Sequence, residues 1–336
     1  MRILLFGGTR FLGRAIAEVA LARSHELTLF HRGVSNPSLW PAATHVRGDR
    51  TRDLALLEGA AFDAVIDTSG FEVSAVRAAA RAVRAAPRYV FVSSISVYAD
   101  PSRMDEEAPL HAVEDAETAT LDAGNYGALK AACERALEEE LPGRVLSVRA
   151  GKIDGPHDID ARFRYWVCRV AKGGEVLAPG DPEAIVQEVD VRDLAAWIVR
   201  AAETGVKGVV NATGEPATMR AFLETIREVL AAPARFTWVP DEILVQDGVR
   251  PYSEMPYWLP KSLGARAVPI ERAVRAGLRF RPFAETVRDT WEWMERSWEE
   301  EAHVRAQRRL IIPAGISPER ERKLLLRAAA PEETRT

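Results

Sequence analysis

A doubly wound α/β sheet, with parallel strands covered by helices on both faces, is predicted for this chain by three observations. Short apolar runs recur through the first half, amphipathic helical stretches separate them, and a glycine-rich turn joins the first run to the first helix. Runs without polar alternation are buried on both faces, which is the position of a strand in a parallel sheet between two helix layers.

The runs Ile3 to Phe6, Leu27 to Phe30, Thr44 to Val46, Ala64 to Ile66 and Tyr89 to Val92 read as the first strands, with helical Leu12 to Arg23 and Val73 to Ala86 among them. A helix opens near Asn125 and runs to about Leu141, where Pro142 and Gly143 stop it, and strand-like Val145 to Arg149 follows. Beyond it the rhythm loosens. A helix is expected over Arg162 to Ala171 and another from Asp193, and Val209 to Asn211 reads as one more strand of the sheet. The expected organisation is a dinucleotide-binding core over 1–150, its sheet completed by about 185–214. A smaller substrate-binding cap is assigned to 151–184 and 215–300, and a charged extension to 301–336. Trp291, Trp293, Met294 and Trp298 have partly helical spacing and read as a peripheral helix packed by its tryptophans. The last six residues are expected to fray.

A chain of 336 residues buries enough core to need no disulfides. Hydrophobic residues at 47% and charged residues at 28% exclude a disordered chain. The net charge of -4 provides no overall basic field, which argues against nucleic acid as a partner. Cys133 and Cys168 have no CxxC spacing and read as core residues of a reducing compartment. The apolar start is broken by Gly7, Gly8 and Arg10 before a signal-peptide core develops, and no apolar stretch reaches the roughly 18 residues of a membrane span. The expectation is a cytoplasmic protein without membrane association. The six histidines show no HxxxH or HExxH spacing, and no metal site is assigned.

Gly7-Gly8-Thr9-Arg10-Phe11-Leu12-Gly13 stands between a buried strand and a helix. In that context Gly7 permits the tight turn, Gly13 permits close helix-strand approach, and the helix N-terminus offers N–H groups to a pyrophosphate. The end of the second strand separates NAD from NADP, because a carboxylate there binds the ribose 2′-hydroxyl and an arginine accommodates a 2′-phosphate. Here it reads His31-Arg32-Gly33 with no acid, which favours NADP over NAD; the alternative leaves Arg32 a solvated loop residue.

Tyr126 and Lys130 are spaced one helical turn apart on one face. Alone such a pair is common on surfaces, but this one follows the cofactor strands and the strand-end Phe91-Val92-Ser93-Ser94-Ile95-Ser96. A phenol is a poor base at neutral pH, and a fixed ammonium lowers its pKa by stabilising the phenolate. The expected catalytic set is therefore Tyr126 as general acid or base, Lys130 as the cation that also holds the nicotinamide ribose, and Ser94 as donor to the substrate oxygen. Ser96 is the alternative hydroxyl.

These segments, with Arg149 to Pro156 and Gln187 to Leu194, resemble the NAD-dependent epimerase/dehydratase family of extended short-chain dehydrogenases/reductases over roughly residues 1 to 215. The GGTRFLG form is similar to an atypical branch that includes chloroplast stem-loop RNA-binding proteins. The resemblance implies a Rossmann core and places Thr9, Arg10, Phe11 and Leu12 of the turn on the cofactor. Arg10 replaces the middle glycine of the usual G-x-x-G-x-x-G, and its guanidinium can pair with a phosphate. Asp49 and Arg50 are implied at the adenine; Thr68, Ser69 and Gly70 along the ribose and pyrophosphate; Ser93, Ala150, Gly151 and Ile153 toward the nicotinamide, Ala150 standing where relatives have proline. Substrate contacts are implied for the segment after the sixth strand and for the cap, where His157, Arg162, Arg164, Tyr165, Trp166, Gln187, Arg250, Tyr252 and Trp258 are candidates; packing or surface placement is the alternative for each of them. A homodimer through the helices beginning at Val73 and Tyr126 is a further implication.

The function expected is an NADP(H)-dependent oxidoreductase or redox epimerase acting on an alcohol or ketone carbon of a small, anionic or sugar-nucleotide substrate. Dehydration is disfavoured because Ile95-Ser96 supplies no acidic pair beside Ser94. The alternative is a nucleotide-sensing or RNA-binding protein on the same fold.

Overall fold

The computed structural model describes residues 1–122, 124–158, 160–306 and 314–330, with only the backbone described for 297–306. In chain order the elements begin β1 (Arg2–Phe6), α1 (Phe11–Ala22), β2 (Glu26–His31), β3 (Thr44–Arg47), β4 (Ala64–Asp67), α2 (Val73–Ala82), β5 (Tyr89–Ser94), α3 (Tyr126–Glu140) and β6 (Val145–Ala150). There follow β7 (Lys152–Asp154), α4 (Ala161–Ala171), β8 (Gly174–Pro179), β9 (Ile185–Val186), β10 (Glu188–Asp190), α5 (Val191–Thr204), β11 (Gly208–Ala212) and β12 (Ala217–Thr218). The last are α6 (Met219–Val229), β13 (Ala234–Val239), α7 (Asp241–Gln246), α8 (Glu271–Arg275), α9 (Phe283–Ala306) and α10 (Pro318–Ala329). They form two compact units, one of residues 1–153, 189–214 and 268–280, the other of 154–188, 215–267 and the described part of 281–336.

The first unit is built on a seven-stranded sheet in the order β11-β6-β5-β4-β1-β2-β3, with every pair parallel. Strand periodicity divides its core. Ile3, Leu5, Leu29 and Ile66 face α1 and α5, whereas Leu4, Phe6, Val65 and Phe91 face α2 and α3. Burying each such side chain stabilises the fold by about 1.5–3 kcal/mol. The strand order reverses between β1 and β4, and a sheet of this kind binds ligands outside the carboxyl ends of its strands at that point. Helix α5 starts at Val191, two residues before the Asp193 expected from the sequence, because the Asp190 carboxylate accepts the Arg192 N–H at 2.8 Å and caps the helix there.

In the second unit β8 and β13 pair in parallel, and Phe163, Trp166, Phe222, Val287 and Trp293 fill the core. Two sequence assignments change. Residues 268–280, placed in the cap, belong to the first unit, because Ala273 and Leu278 are buried in the sheet core and the Trp197 indole N–H reaches the Ala276 carbonyl at 3.3 Å. The charged extension is partly integrated: α10 buries Leu324 and Glu321, whose carboxylate accepts the Arg169 Nε at 2.7 Å and the Leu177 N–H at 3.0 Å. The Trp298 side chain and residues 331–336, expected to fray, lie outside the described structure. No helix among the described residues is long and apolar enough to cross a membrane.

Candidate active site and cofactor cradle

The turn after β1 has the backbone that its glycines allow, with φ of +110° at Gly7 and +99° at Gly8. At Gly13 a Cβ would lie 2.8 Å from the Gly8 backbone nitrogen, so helix and turn touch main chain to main chain. Arg10, at the N-cap of α1, is exposed and makes no side-chain cap. Phe11 begins the helix at φ +36°, and Leu12 and Thr9 are buried. The Thr68 hydroxyl donates to the Phe6 carbonyl at 2.9 Å beside Gly7. A cradle that side chains would fill, opening on a helix N-terminus, fits the pyrophosphate of a nicotinamide dinucleotide.

Two residues the sequence reading missed hold this cradle. Asn36 donates to the Thr9 carbonyl at 3.0 Å and the Trp40 indole to the Gly8 carbonyl at 3.1 Å, so the loop after β2 is bonded to the turn. Both contacts come from a loop without periodicity, and no spacing signals them.

Several side chains assigned to the cofactor are engaged within the protein. His31 Nδ1 accepts the Gly33 N–H at 3.0 Å, and its Nε2 meets His45 Nδ1 at 2.8 Å. His45 Nε2 is 3.1 Å from the Trp40 carbonyl, which can only accept. His45 therefore carries its proton on Nε2 and His31 donates to it, leaving no His31 nitrogen for a cofactor. Burial, then His45 and Arg47, lowers the His31 pKa. Arg50, expected at the adenine, turns inward and pairs with the fully buried Asp67 at 2.8 and 2.9 Å while also reaching the Ser69 hydroxyl at 3.2 Å. Burial alone would raise the Asp67 pKa, but the Arg50 charge and hydrogen bonds outweigh it and hold the carboxyl below its ordinary value. Ser93 donates to Glu134, which is paired with Arg149 at 2.8 Å. Arg149 in turn donates to the Tyr98 hydroxyl at 3.0 Å. The side chains of His31 and Ser93 are thus turned to partners within the protein, and so are the two terminal nitrogens of Arg50, whose buried Nε alone has no partner. The Asp49 carboxylate accepts from Thr51, and Arg32 is exposed nearby.

The proton-transfer set is carried by the end of β5 and the start of α3. Ser94 Oγ accepts the Ser96 N–H at 3.1 Å, which shapes the turn and leaves the serine proton to donate elsewhere. Gly127 lets α3 approach this turn: a Cβ there would lie 1.9 Å from the Ser96 carbonyl oxygen. Ser96 itself is exposed. Tyr126 opens α3, with its ring 6.3 Å from that of Phe71. One turn on, Lys130 is 2% exposed. Its ammonium donates to the Gly70 carbonyl at 2.8 Å and the Val92 carbonyl at 2.6 Å, and lies 4.1 Å from the Phe91 ring centre and 5.0 Å from that of Phe71. Burial pulls its pKa down to about 8. An ammonium has three donors, so one remains beyond the two carbonyls. Phe71 and the Val92 carbonyl are further parts of the site that the sequence does not signal. At the end of β6 the Gly151 N–H donates to the Ala212 carbonyl at 3.1 Å, and half-buried Ile153 packs on the sheet core beside buried Ala150.

Of the substrate candidates, Arg164, Trp166 and Gln187 belong to the second unit. Trp166 is fully buried and donates its indole N–H to the Pro256 carbonyl at 2.9 Å, so it is a core residue and not a ligand contact. Trp258 is likewise buried, bonded to Asp241 at 2.8 Å. Arg164 is largely buried, 5.9 Å from the Trp293 ring centre, and Gln187 is half-buried.

A parallel sheet in this order, with a glycine cradle after β1 and a tyrosine-lysine pair on α3, defines a dinucleotide-binding α/β protein of the Rossmann type. Residues 3–213 match the NAD dependent epimerase/dehydratase family, and the chain belongs to it. The enzyme class read from the sequence is the class of that family. Among curated relatives, the Arabidopsis thaliana chloroplast stem-loop binding protein of 41 kDa b is 25% identical over 64% of this chain; the match spans 59% of that relative's length. The Bos taurus epimerase family protein SDR39U1 is 27% identical over 71% of this chain and 83% of its own length. Among solved structures, the Thermus thermophilus UDP-glucose 4-epimerase complex with NAD is similar in fold, with a TM-score of 0.62 and 21% identity over 88% of this chain and 99% of that one.

Proposed function

We propose that the chain is an NADP(H)-dependent oxidoreductase or redox epimerase that works on an alcohol or ketone carbon of a small anionic or sugar-nucleotide substrate. The observation that carries this reading is the buried Lys130 ammonium, held by the Gly70 and Val92 carbonyls one helical turn from Tyr126. A cation fixed there has a purpose beyond packing, because a buried charge is costly unless its donors are used. The cofactor, when bound, supplies the hydride acceptor or donor. In oxidation Tyr126 takes the proton of the substrate hydroxyl as hydride leaves the same carbon; in reduction it returns that proton. Lys130 stabilises the phenolate, and Ser94 donates its remaining proton to the substrate oxygen. Arg32, at the tip of β2 where no acid stands, supports NADP(H), and the anionic or sugar-nucleotide substrate class rests on the UDP-glucose 4-epimerase named among the fold relatives.

The test is to mix the protein with a panel of UDP-sugars and ketones, in one series with NADPH and in another with NADP+, following cofactor absorbance and product. Turnover that the Tyr126→Phe variant lacks supports the reading; consumption of NADPH marks a reductase, and product without net consumption marks an epimerase. No turnover over the panel, with salt-dependent binding of a stem-loop RNA, favours the second reading, which rests on the name of the chloroplast relative.

A further inference from the structure

Strands β2 and β3 run parallel with His31 opposite Arg47, which brings the end of β3 beside the end of β2. There the chain leaves β2 through Arg32 and Gly33, the latter at φ +75°. A Cβ at Gly33 would meet Arg47 Cδ at 3.5 Å and Nε at 3.8 Å, so the stem of Arg47 lies along the turn that carries Arg32. Both arginines are exposed, and among the described residues neither is ion-paired; Arg32 is close enough to Asp49 to help depress its pKa. The neighbouring ring of His31 is buried, with both nitrogens engaged, and contributes no fixed charge. Two guanidinium groups thus stand at the strand end where the adenosine ribose of a bound dinucleotide lies. A guanidinium can give two parallel N–H bonds to phosphate oxygens, and two of them match the charge of a phosphate dianion.

We propose that Arg47 is a specificity-determining residue, which with Arg32 clamps the 2′-phosphate of the cofactor. The inference rests on the NADP(H) reading above and adds to it a residue on a different strand. The Arg47 side chain is exposed and makes no hydrogen bond or ion pair among the described residues, and its main chain keeps its place in β3 when the side chain is replaced, so the fold is expected to stay intact.

The experiment is a fluorescence titration of NADPH and NADH, at one ionic strength, into the wild type, Arg32→Gln, Arg47→Gln and the double variant, with thermal melts as a folding control. A charge-assisted hydrogen bond lost from the complex corresponds to about ten- to a hundredfold in affinity. Arg47→Gln is expected to lose NADPH affinity by about that factor with NADH affinity unchanged, and the double variant to bind the two alike. If the wild type prefers NADPH and Arg47→Gln keeps the full preference while Arg32→Gln loses it, the Arg47 proposal falls and the cofactor reading stands. If the wild type binds NADH at least as tightly as NADPH, or binds neither, both fall together.

Discussion

Replacing Lys130 with methionine removes the ionisable group from the most closely defined part of the site and keeps an unbranched apolar chain one atom shorter. In the folded chain the ammonium is desolvated, and its pKa drops from 10.5 to about 8. Between those values the folded chain has released a proton that the unfolded chain still holds. The unfolded state then binds more protons, so stability rises with pH through this window; below about pH 8 the cost of the buried charge is present in full. The drop corresponds to about 3 kcal/mol at about 1.4 kcal/mol per pH unit. Methionine leaves the Gly70 and Val92 carbonyls without their donor, a penalty that does not vary with pH and so leaves the slope untouched. Urea unfolding of wild type and Lys130→Met at intervals from pH 7 to 10.5 measures the difference. The wild type is expected to gain about 3 kcal/mol on the variant across that range. A difference that stays flat would mean that the ammonium is as well solvated as in water and that burial does not lower its pKa.

Three other perturbations follow from the geometry. Gly127→Ala puts a methyl 1.9 Å from the Ser96 carbonyl oxygen, forcing the Ser94 turn and Tyr126 apart by roughly an ångström; turnover should fall about a hundredfold, with cofactor affinity nearly unchanged in the same titration. Arg149→Met strands the buried Glu134 carboxylate and should cost about 3–5 kcal/mol by chemical unfolding, whereas adding Glu134→Leu should restore most of it; equal loss in both variants would show that the pair is not coupled. In the second unit Glu321→Ala removes the acceptor shared by Arg169 and Leu177, so hydrogen exchange of α10 should accelerate while the amides of β1 and β5 keep their protection.

What the sequence disclosed and what it hid divide along physical lines. Strands such as Ile3 to Phe6 and Tyr89 to Val92 were legible because burial on both faces leaves a continuous apolar run, and the turn was legible because Gly7, Gly8 and Gly13 each meet a local backbone demand. The tyrosine-lysine pair needed only helical spacing. Partners that parallel pairing brings together from distant segments were not legible. Nothing local says that His31 will meet His45, that Arg50 will pair with Asp67 at the end of β4, or that Ser93 will be taken by Glu134. The family resemblance puts Arg50 at the adenine and makes Trp166 a substrate candidate, yet Arg50 pairs with Asp67 and Trp166 packs in a core with its indole N–H on the Pro256 carbonyl. The assignment of 268–280 to the cap failed for a related reason: a short helix with Ala273 and Leu278 as its buried residues has too little pattern to show which core it joins.

The turn from Gly7 to Gly13 is expected to seat a nicotinamide dinucleotide. Calorimetric titration of NADPH and NADH into the wild type and Gly13→Val, with circular dichroism to confirm folding, tests it directly, because the valine side chain would grow from a point 2.8 Å from the Gly8 nitrogen. Saturable binding at one site per chain in the wild type, lost in the folded variant, is the predicted result; a wild type that binds neither cofactor, or a variant that binds as the wild type does, would contradict it.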